Sequence, residues 1–296
     1  MPPKRKPKKR AAPKRKHKFP NTPGLKRGAK SKPVAELQEF LQAFGYLRMA
    51  EPGQPRPRGR SPFATTELAG MPIPAAVAAT GSFDPATESG LTNFQRFLGL
   101  PITGELDIAT VAEMSKPRCG VPDLLPRVVG PFGFAAPGNR WPRTQLSYSF
   151  DESINTVPGV SAQLIRGGIR AALDLWSAAT PLRFTASTGT GDLKFRFAAG
   201  DHGDGNSFDG QGRVLAHAFL PSGNPMDGEV HFDVEERWSC SFETEMDLVT
   251  VATHEIGHAL GLDHSQVRGS MMFPTYAGPQ RFLHDDDIQG IRTLYP

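Results

Sequence analysis

The sequence predicts an α+β fold in two unequal units: a small helical one, then a larger one in which strands and helices share a core. Three observations carry this. Apolar residues between 33 and 116 recur at helical spacing in three short segments. A Pro- and Gly-rich stretch over 117–140 then separates that region from the rest. From Trp141 onward, period-two segments are interspersed with amphipathic ones. A chain of 296 residues has room for about two domains.

In the first unit, VAELQEFLQAFGYL (34–47) places Leu37, Phe40, Leu41 and Phe44 on one helical face. GSFDPATESGLTNFQRFLGL (81–100) does the same with Leu91, Phe94, Phe97 and Leu98, after a Pro/Arg/Gly-rich interruption at 51–62. Thr103 and Gly104 form a turn, and Asp107 caps a third helix, IATVAEM. In the second unit, TQLSYSF (144–150), PLRFTAS, DLKFRFAAG, GRVLAHAFLP (212–221) and GEVHFDV (228–234) read as strands. VSAQLIRGGIRAALDLWSAAT (160–180), MDLVTVATHEIGHALGL (246–262) and DDDIQGIRTLY (285–295) read as helices.

The formal charge of +4 is an average over two different regions. Residues 1–32 carry 14 of the 34 basic residues and no acid, so 33–296 holds the other 20 against all 30 acidic residues and is net −10. The tail has too few apolar residues to form a core and is expected to be disordered. It suits polyanions such as nucleic acid or a wall polymer, resembles a nuclear localisation signal, and reads equally as a solvated tail. No stretch reaches the roughly 20 apolar residues of a membrane span, and no apolar signal region follows the tail. Two cysteines, Cys119 and Cys240, make no disulfide framework.

The chemistry concentrates in HEIGHALGLDH (254–264). His254 and His258 are four apart and share one helical face. Gly261 lets the chain leave the helix, and His264 follows as a third imidazole. Three neutral imidazoles leave one position of a tetrahedral Zn²⁺ open, which is a catalytic arrangement, and Glu255 sits between the first two in sequence, close enough to reach a water bound to the same metal. A second group, His202, Asp204, His217 and His231, offers three imidazoles and one carboxylate, the complement of a closed structural Zn²⁺ site. FDGQGRV (208–214) and HFDVEE offer oxygen ligands for Ca²⁺: Asp209, Asp233, Glu236 and the carbonyls of Gly210, Gly212 and Val214. Asp192 and Glu229 are candidates for a second calcium.

With PRCGVPD (117–123), HGDGNSFDGQGRVLAHAF (202–219), GEVHFDVEERW (228–238), HEIGHALGLDH and SMMFP (270–274), the chain resembles the matrix metalloproteinases, the matrixins of the metzincin group, from about residue 81 to 296. The resemblance implies a zincin-like catalytic domain over 134–296, with a twisted, mainly parallel sheet and long helices. It also implies a peptidoglycan-binding-like prodomain over 33–116 and a linker over 117–133; the sequence ends after the catalytic region, so no hemopexin-like domain is expected. By the same resemblance, Met272 would form the Met-turn beneath the zinc ligands, with Ser270 and Pro274 fitting the same turn. Cys119 looks like the family's cysteine switch, a thiolate filling the open zinc position, with Arg118 and Asp123 pairing to shape its loop. A Cys119–Cys240 disulfide or an idle thiol is the alternative.

The implied activity is a latent, secreted, monomeric zinc endopeptidase acting on extended protein or peptide substrates. Substrate lies along the LAHAF strand, Pro274, Thr275 and Tyr276 wall the main specificity pocket, and Thr250 sits near its floor, favouring Leu-like side chains. Activation removes residues up to about 133, and Asp286 receives the new amino terminus. A polysaccharide-binding protein, an inactive pseudoprotease and a nucleic-acid-binding protein are the competing readings.

Overall fold

The computed structural model describes residues 19–47, 67–68, 71–72, 79–124, 140–241 and 246–296. The cleavage region near 132–134 and the first 18 residues of the basic tail lie outside the described residues.

The first unit holds helices α1 (Lys32–Ala43), α2 (Pro85–Phe97) and α3 (Ile108–Met114) and a short antiparallel pair, β1 (Glu67–Leu68) and β2 (Met71–Pro72). Leu37, Phe40, Leu41 and Phe44 are buried against Leu91, Phe94, Phe97 and Leu98, the faces that the spacing marks. Asp84 and Asp107 cap α2 and α3 by accepting from the Thr87 and Thr110 amides. One boundary differs from expectation. Residues 19–32, read from charge as part of a disordered tail, are built into this unit. Phe19 meets Phe40 edge-on at 5.5 Å, Leu25 bridges Leu106, and Lys30 bridges Ser82. Two apolar residues among many charges give no period, but each finds a partner in the core or its rim.

The second unit is built on a six-stranded sheet of β3 (Arg118–Cys119), β4 (Gln145–Phe150), β5 (Arg183–Ala186), β6 (Leu193–Ala198), β7 (Val214–Ala218) and β8 (Glu229–Asp233). The order is β3-β7-β8-β6-β4-β5, with β7 antiparallel to β8 and every other pair parallel. Helix α4 (Ala162–Ala179) is capped by Ser161. A parallel pair, β9 (Trp238–Ser239) and β10 (Met246–Asp247), leads into α5 (Leu248–Ala259). Helix α6 (Asp285–Leu294) closes the chain. Leu193, Phe195 and Phe197 alternate into the core, where they join Val230, Phe232, Trp176 and Ile256. The Trp176 indole also donates to the Thr253 carbonyl at 2.9 Å, tying α4 to α5. Helix α5 is therefore held on both sides: by α4 and by the sheet.

Candidate active site and metal centres

Every residue of α5 is buried, so the helix can carry polar side chains only where they find partners or a ligand. His254, His258 and His264 turn Nε2 toward one point. The His254 Nε2 lies 3.1 Å from that of His258 and 3.2 Å from that of His264. Their Nδ1 atoms are engaged outward: His254 donates to the Met271 carbonyl at 2.7 Å and His258 to the Leu262 carbonyl at 2.8 Å, while His264 Nδ1 lies 2.9 Å from Asp123 Oδ1. A proton held on Nδ1 leaves Nε2 with its lone pair inward. Burial, with His264 adding to it, lowers the His254 pKa to about 3, which keeps that ring neutral.

Cys119 completes this group: its sulfur and one nitrogen from each imidazole all lie within 4.8 Å of one another. Its segment is held from two sides. Arg118 N donates to Arg213 O at 2.8 Å and Gly120 N to Ala216 O at 2.8 Å on β7, while Cys119 N donates to Pro274 O at 3.0 Å and Tyr276 N to Pro117 O at 2.8 Å. Arg118 and Asp123, both fully buried at their side chains, pair at 2.5 Å. The guanidinium also covers the Phe44 ring at 3.6 Å. Burial alone would raise the Asp123 carboxyl, but Arg118 and then His264 outweigh it and hold its pKa at about 2. The two cysteines are free thiols, so the disulfide alternative is not formed.

Glu255 is buried between the imidazoles, and neither of its oxygens has a hydrogen-bond partner. Burial pushes its pKa up to about 8. The Cys119 thiol opposes that rise, and is itself raised by burial and then by Glu255. On α5, between His254 and His258 in sequence, the Met272 sulfur fills the space beside Gly257, where a Cβ would come within 2.3 Å of it. A cavity of about 80 Å³ opens beside Glu255, lined among others by Thr250, His254, Pro274, Thr275 and Tyr276.

The second histidine group also converges. Asp204 Oδ2 lies 2.8 Å from His202 Nε2, 2.7 Å from His217 Nε2 and 2.8 Å from His231 Nδ1. Register explains it: His217 on β7 stands opposite His231 on β8, and the 202–204 loop folds over both. Burial opposes ionisation of Asp204, but the three imidazoles outweigh it and hold its carboxyl well below the usual range. Among the described residues these two groups are the ones that bring three or more such ligand atoms together, so each could hold a metal ion.

The oxygen-ligand candidates are less tightly gathered. Asp233 Oδ2 accepts from Gly210 N at 3.3 Å, Glu236 Oε1 from Gly212 N at 2.5 Å and Asp209 Oδ1 from Val214 N at 3.2 Å. Burial, with neighbouring carboxylates adding to it, raises Asp233 to about 6 and Glu236 to about 7. Asp192 and Glu229 are not brought into one ligand group. Asp192 is taken by Arg143 and by Ser147, and Glu229 pairs with Lys194 at 3.0 Å and with His231 Nε2 at 3.0 Å. Internal cations and an imidazole satisfy the two carboxylates that the sequence offers to a second calcium. Asp286 accepts from Ser265 Oγ at 2.6 Å.

Several residues at the site escape sequence reasoning. Asp287, beside the singled-out Asp286, accepts from the Met271 and Met272 amides at 2.7 and 3.0 Å and so shapes the turn under the imidazoles. Asp247 caps α5 and is gripped by Arg281 at 2.5 and 3.1 Å. Tyr46 donates to Asp123 at 2.8 Å. Glu113 on α3 accepts from Thr275 at 3.0 Å. The acidic run in the first turn of α6 is the one signal that marks Asp287; the others are pairings between distant segments, which no local pattern reports.

A mainly parallel sheet under a helix with two imidazoles one turn apart, and a third beyond a glycine break, defines a zincin-type domain. The chain belongs to the matrixin family: the Peptidase_M10 model, described as Matrixin, matches residues 140–296. A second model, PG_binding_1, described as a peptidoglycan binding domain, matches residues 70–114. The chain is 42% identical over 215 residues to matrix metalloproteinase-18 of Xenopus laevis, covering 71% of this chain and 44% of that protein. It is 43% identical over 209 residues to interstitial collagenase of Sus scrofa (69% and 42%) and 41% identical over 210 residues to stromelysin-1 of Mus musculus (69% and 42%). The chain thus spans less than half the length of these curated relatives. No described helix is long and apolar enough to cross a membrane.

Proposed function

We propose that the chain is a latent zinc endopeptidase whose own thiol closes its active site. The carrying observation is the group of Cys119, His254, His258 and His264, whose ligand atoms lie within 4.8 Å of one another beside an unpartnered, buried Glu255. Inward-facing Nε2 atoms with their Nδ1 protons committed elsewhere are the donor set of a zinc site, and a thiolate is a strong fourth ligand. What a zinc ion supplies at such a centre is Lewis-acid polarisation of water and of the scissile carbonyl.

The chain's own residues do the rest. With β3 removed, β7 offers its free edge to an extended substrate, and 274–276 offers the opposite side. The cavity of about 80 Å³ beside Thr250 suits a Leu-sized side chain. Glu255, with both oxygens uncommitted, takes the proton from the attacking water and delivers it to the leaving amine. Met272 and the Asp287-braced turn hold the imidazoles from below.

The second histidine group suits a structural zinc, since three imidazoles and a carboxylate fill a tetrahedron. Asp209, Asp233 and Glu236 suit Ca²⁺: a buried Glu236 oxygen has no hydrogen-bond partner, and a cation would offset the burial, and then the neighbouring carboxylates, that raise Asp233 and Glu236. The substrates are extended proteins or peptides, cleaved by a secreted monomer. The basic tail, with 10 Lys/Arg and no acid over 1–18, attaches the zymogen to polyanionic surfaces.

Glu255→Ala tests the assignment. It is expected to abolish hydrolysis of a quenched fluorescent peptide after thiol blocking, while the zinc content of the protein is unchanged. Near-normal turnover in that variant would reject Glu255 as the base.

A further inference from the structure

Among the six clustered imidazoles, five present Nε2 to their neighbours and one, His231, presents Nδ1. An imidazole that offers Nδ1 as a ligand must carry its proton on Nε2. The His231 Nε2 is 3.0 Å from Glu229 Oε2, and the other oxygen of that carboxylate is 3.0 Å from Lys194 Nζ. We propose that Glu229, anchored by Lys194, is the positioning residue that fixes the His231 tautomer and orientation for metal retention at the His202, Asp204, His217 and His231 centre. The inference rests on reading that centre as a zinc site.

Sheet register builds the relay. Glu229 and His231 are two apart on β8 and so share a face, opposite the face that sends Val230 and Phe232 into the core. Lys194 on β6 is the direct cross-strand partner of Glu229, and His217 on β7 is that of His231. The row therefore runs Lys194, Glu229, His231, Asp204 across neighbouring strands and the loop above them. Lys194 also approaches the Pro225 carbonyl at 3.5 Å, which keeps the ammonium at the carboxylate. The His231 side chain is fully buried, so no water competes for its Nε2 proton. A carboxylate on the outer nitrogen of a ligating imidazole raises ligand basicity, and its loss weakens metal binding by roughly 10- to 100-fold.

The test measures zinc release from the full-length chain into an excess of a chromogenic chelator, resolved into one phase per centre. Glu229→Ala is expected to speed one phase by about 10- to 100-fold and leave the other unchanged. Glu229→Gln, whose amide oxygen still accepts a hydrogen bond, falls between the wild type and Glu229→Ala. Excess zinc is expected to return the Glu229→Ala melting temperature to that of the wild type. Release phases identical to wild type in Glu229→Ala overturn the relay. A melting-temperature loss that persists in excess zinc assigns Glu229 to sheet stability alone and also overturns it. A wild-type protein that holds zinc only at the His254 centre overturns the underlying zinc reading.

Discussion

Asp123→Ala leaves a buried guanidinium without its carboxylate. The Arg118 side chain is fully buried, and Asp123 is its ion-pair partner. Without Asp123, the guanidinium keeps the Phe44 ring and the Cys119 carbonyl, and Tyr46 loses its acceptor. Removing one partner of a buried ion pair costs about 3–5 kcal/mol. The opposite truncation, Arg118→Met, leaves Asp123 with Tyr46 and His264, so Asp123→Ala falls toward the upper end of that range and Arg118→Met toward the lower. The cost applies only while the Cys119 segment is docked, because both groups are hydrated once it leaves. At about 1.4 kcal/mol per factor of ten, the undocked fraction rises by roughly two to three and a half orders of magnitude. The assay is the rate at which a colorimetric disulfide reagent labels Cys119 in a Cys240→Ser background. Cys119 is 5% exposed when docked, so labelling reports opening. A labelling rate in Asp123→Ala within about threefold of the parent would refute the claim that this pair holds the segment shut.

Two further outcomes follow from the same geometry. Burial would raise the Glu113 carboxyl, but Lys116, Thr275 and Arg268 lower it below its ordinary value of 4.5. Its contribution to docking is thus complete above 4.5 and is lost as pH falls through the lowered value. Acid should therefore loosen the wild-type chain more than Glu113→Gln, as read by limited proteolysis near α3; equal acid sensitivity in both would remove Glu113 from the contacts that dock this segment. Added Ca²⁺ should raise the melting temperature of the wild type and do so markedly less for Glu236→Ala. An equal calcium shift in the two proteins would move the calcium elsewhere.

Much of the site is legible in the sequence because its chemistry is local. His254, Glu255 and His258 share one helical turn, and Gly261 marks where the chain must bend to bring His264 back. The helices are legible for a similar reason: Asp107 before IATVAEM is both a cap and a boundary. What stays hidden is what depends on register and docking. Lys194 is one of many surface-like cations until β6 sets it opposite Glu229. Glu229 reads from the sequence as a candidate calcium ligand, and its 3.0 Å contact to His231 depends on the strand conformation that brings the two side chains together, which no local pattern reports. Phe19 and Leu25 disappear among lysines because isolated apolar residues carry no period, although tertiary contacts hold them in place. The two-residue strand at Arg118–Cys119 is too short to announce itself, and it exists because β7 and the 274–276 wall supply partners on both sides.

The central claim is that Cys119 holds a competent zinc peptidase shut. The direct measurement is hydrolysis of a quenched fluorescent peptide by the full-length protein, before and after a mercurial that blocks Cys119. Low activity that rises on treatment and vanishes with a zinc chelator is the predicted result. Full activity before treatment would contradict the latch, and no activity in either state would contradict the peptidase.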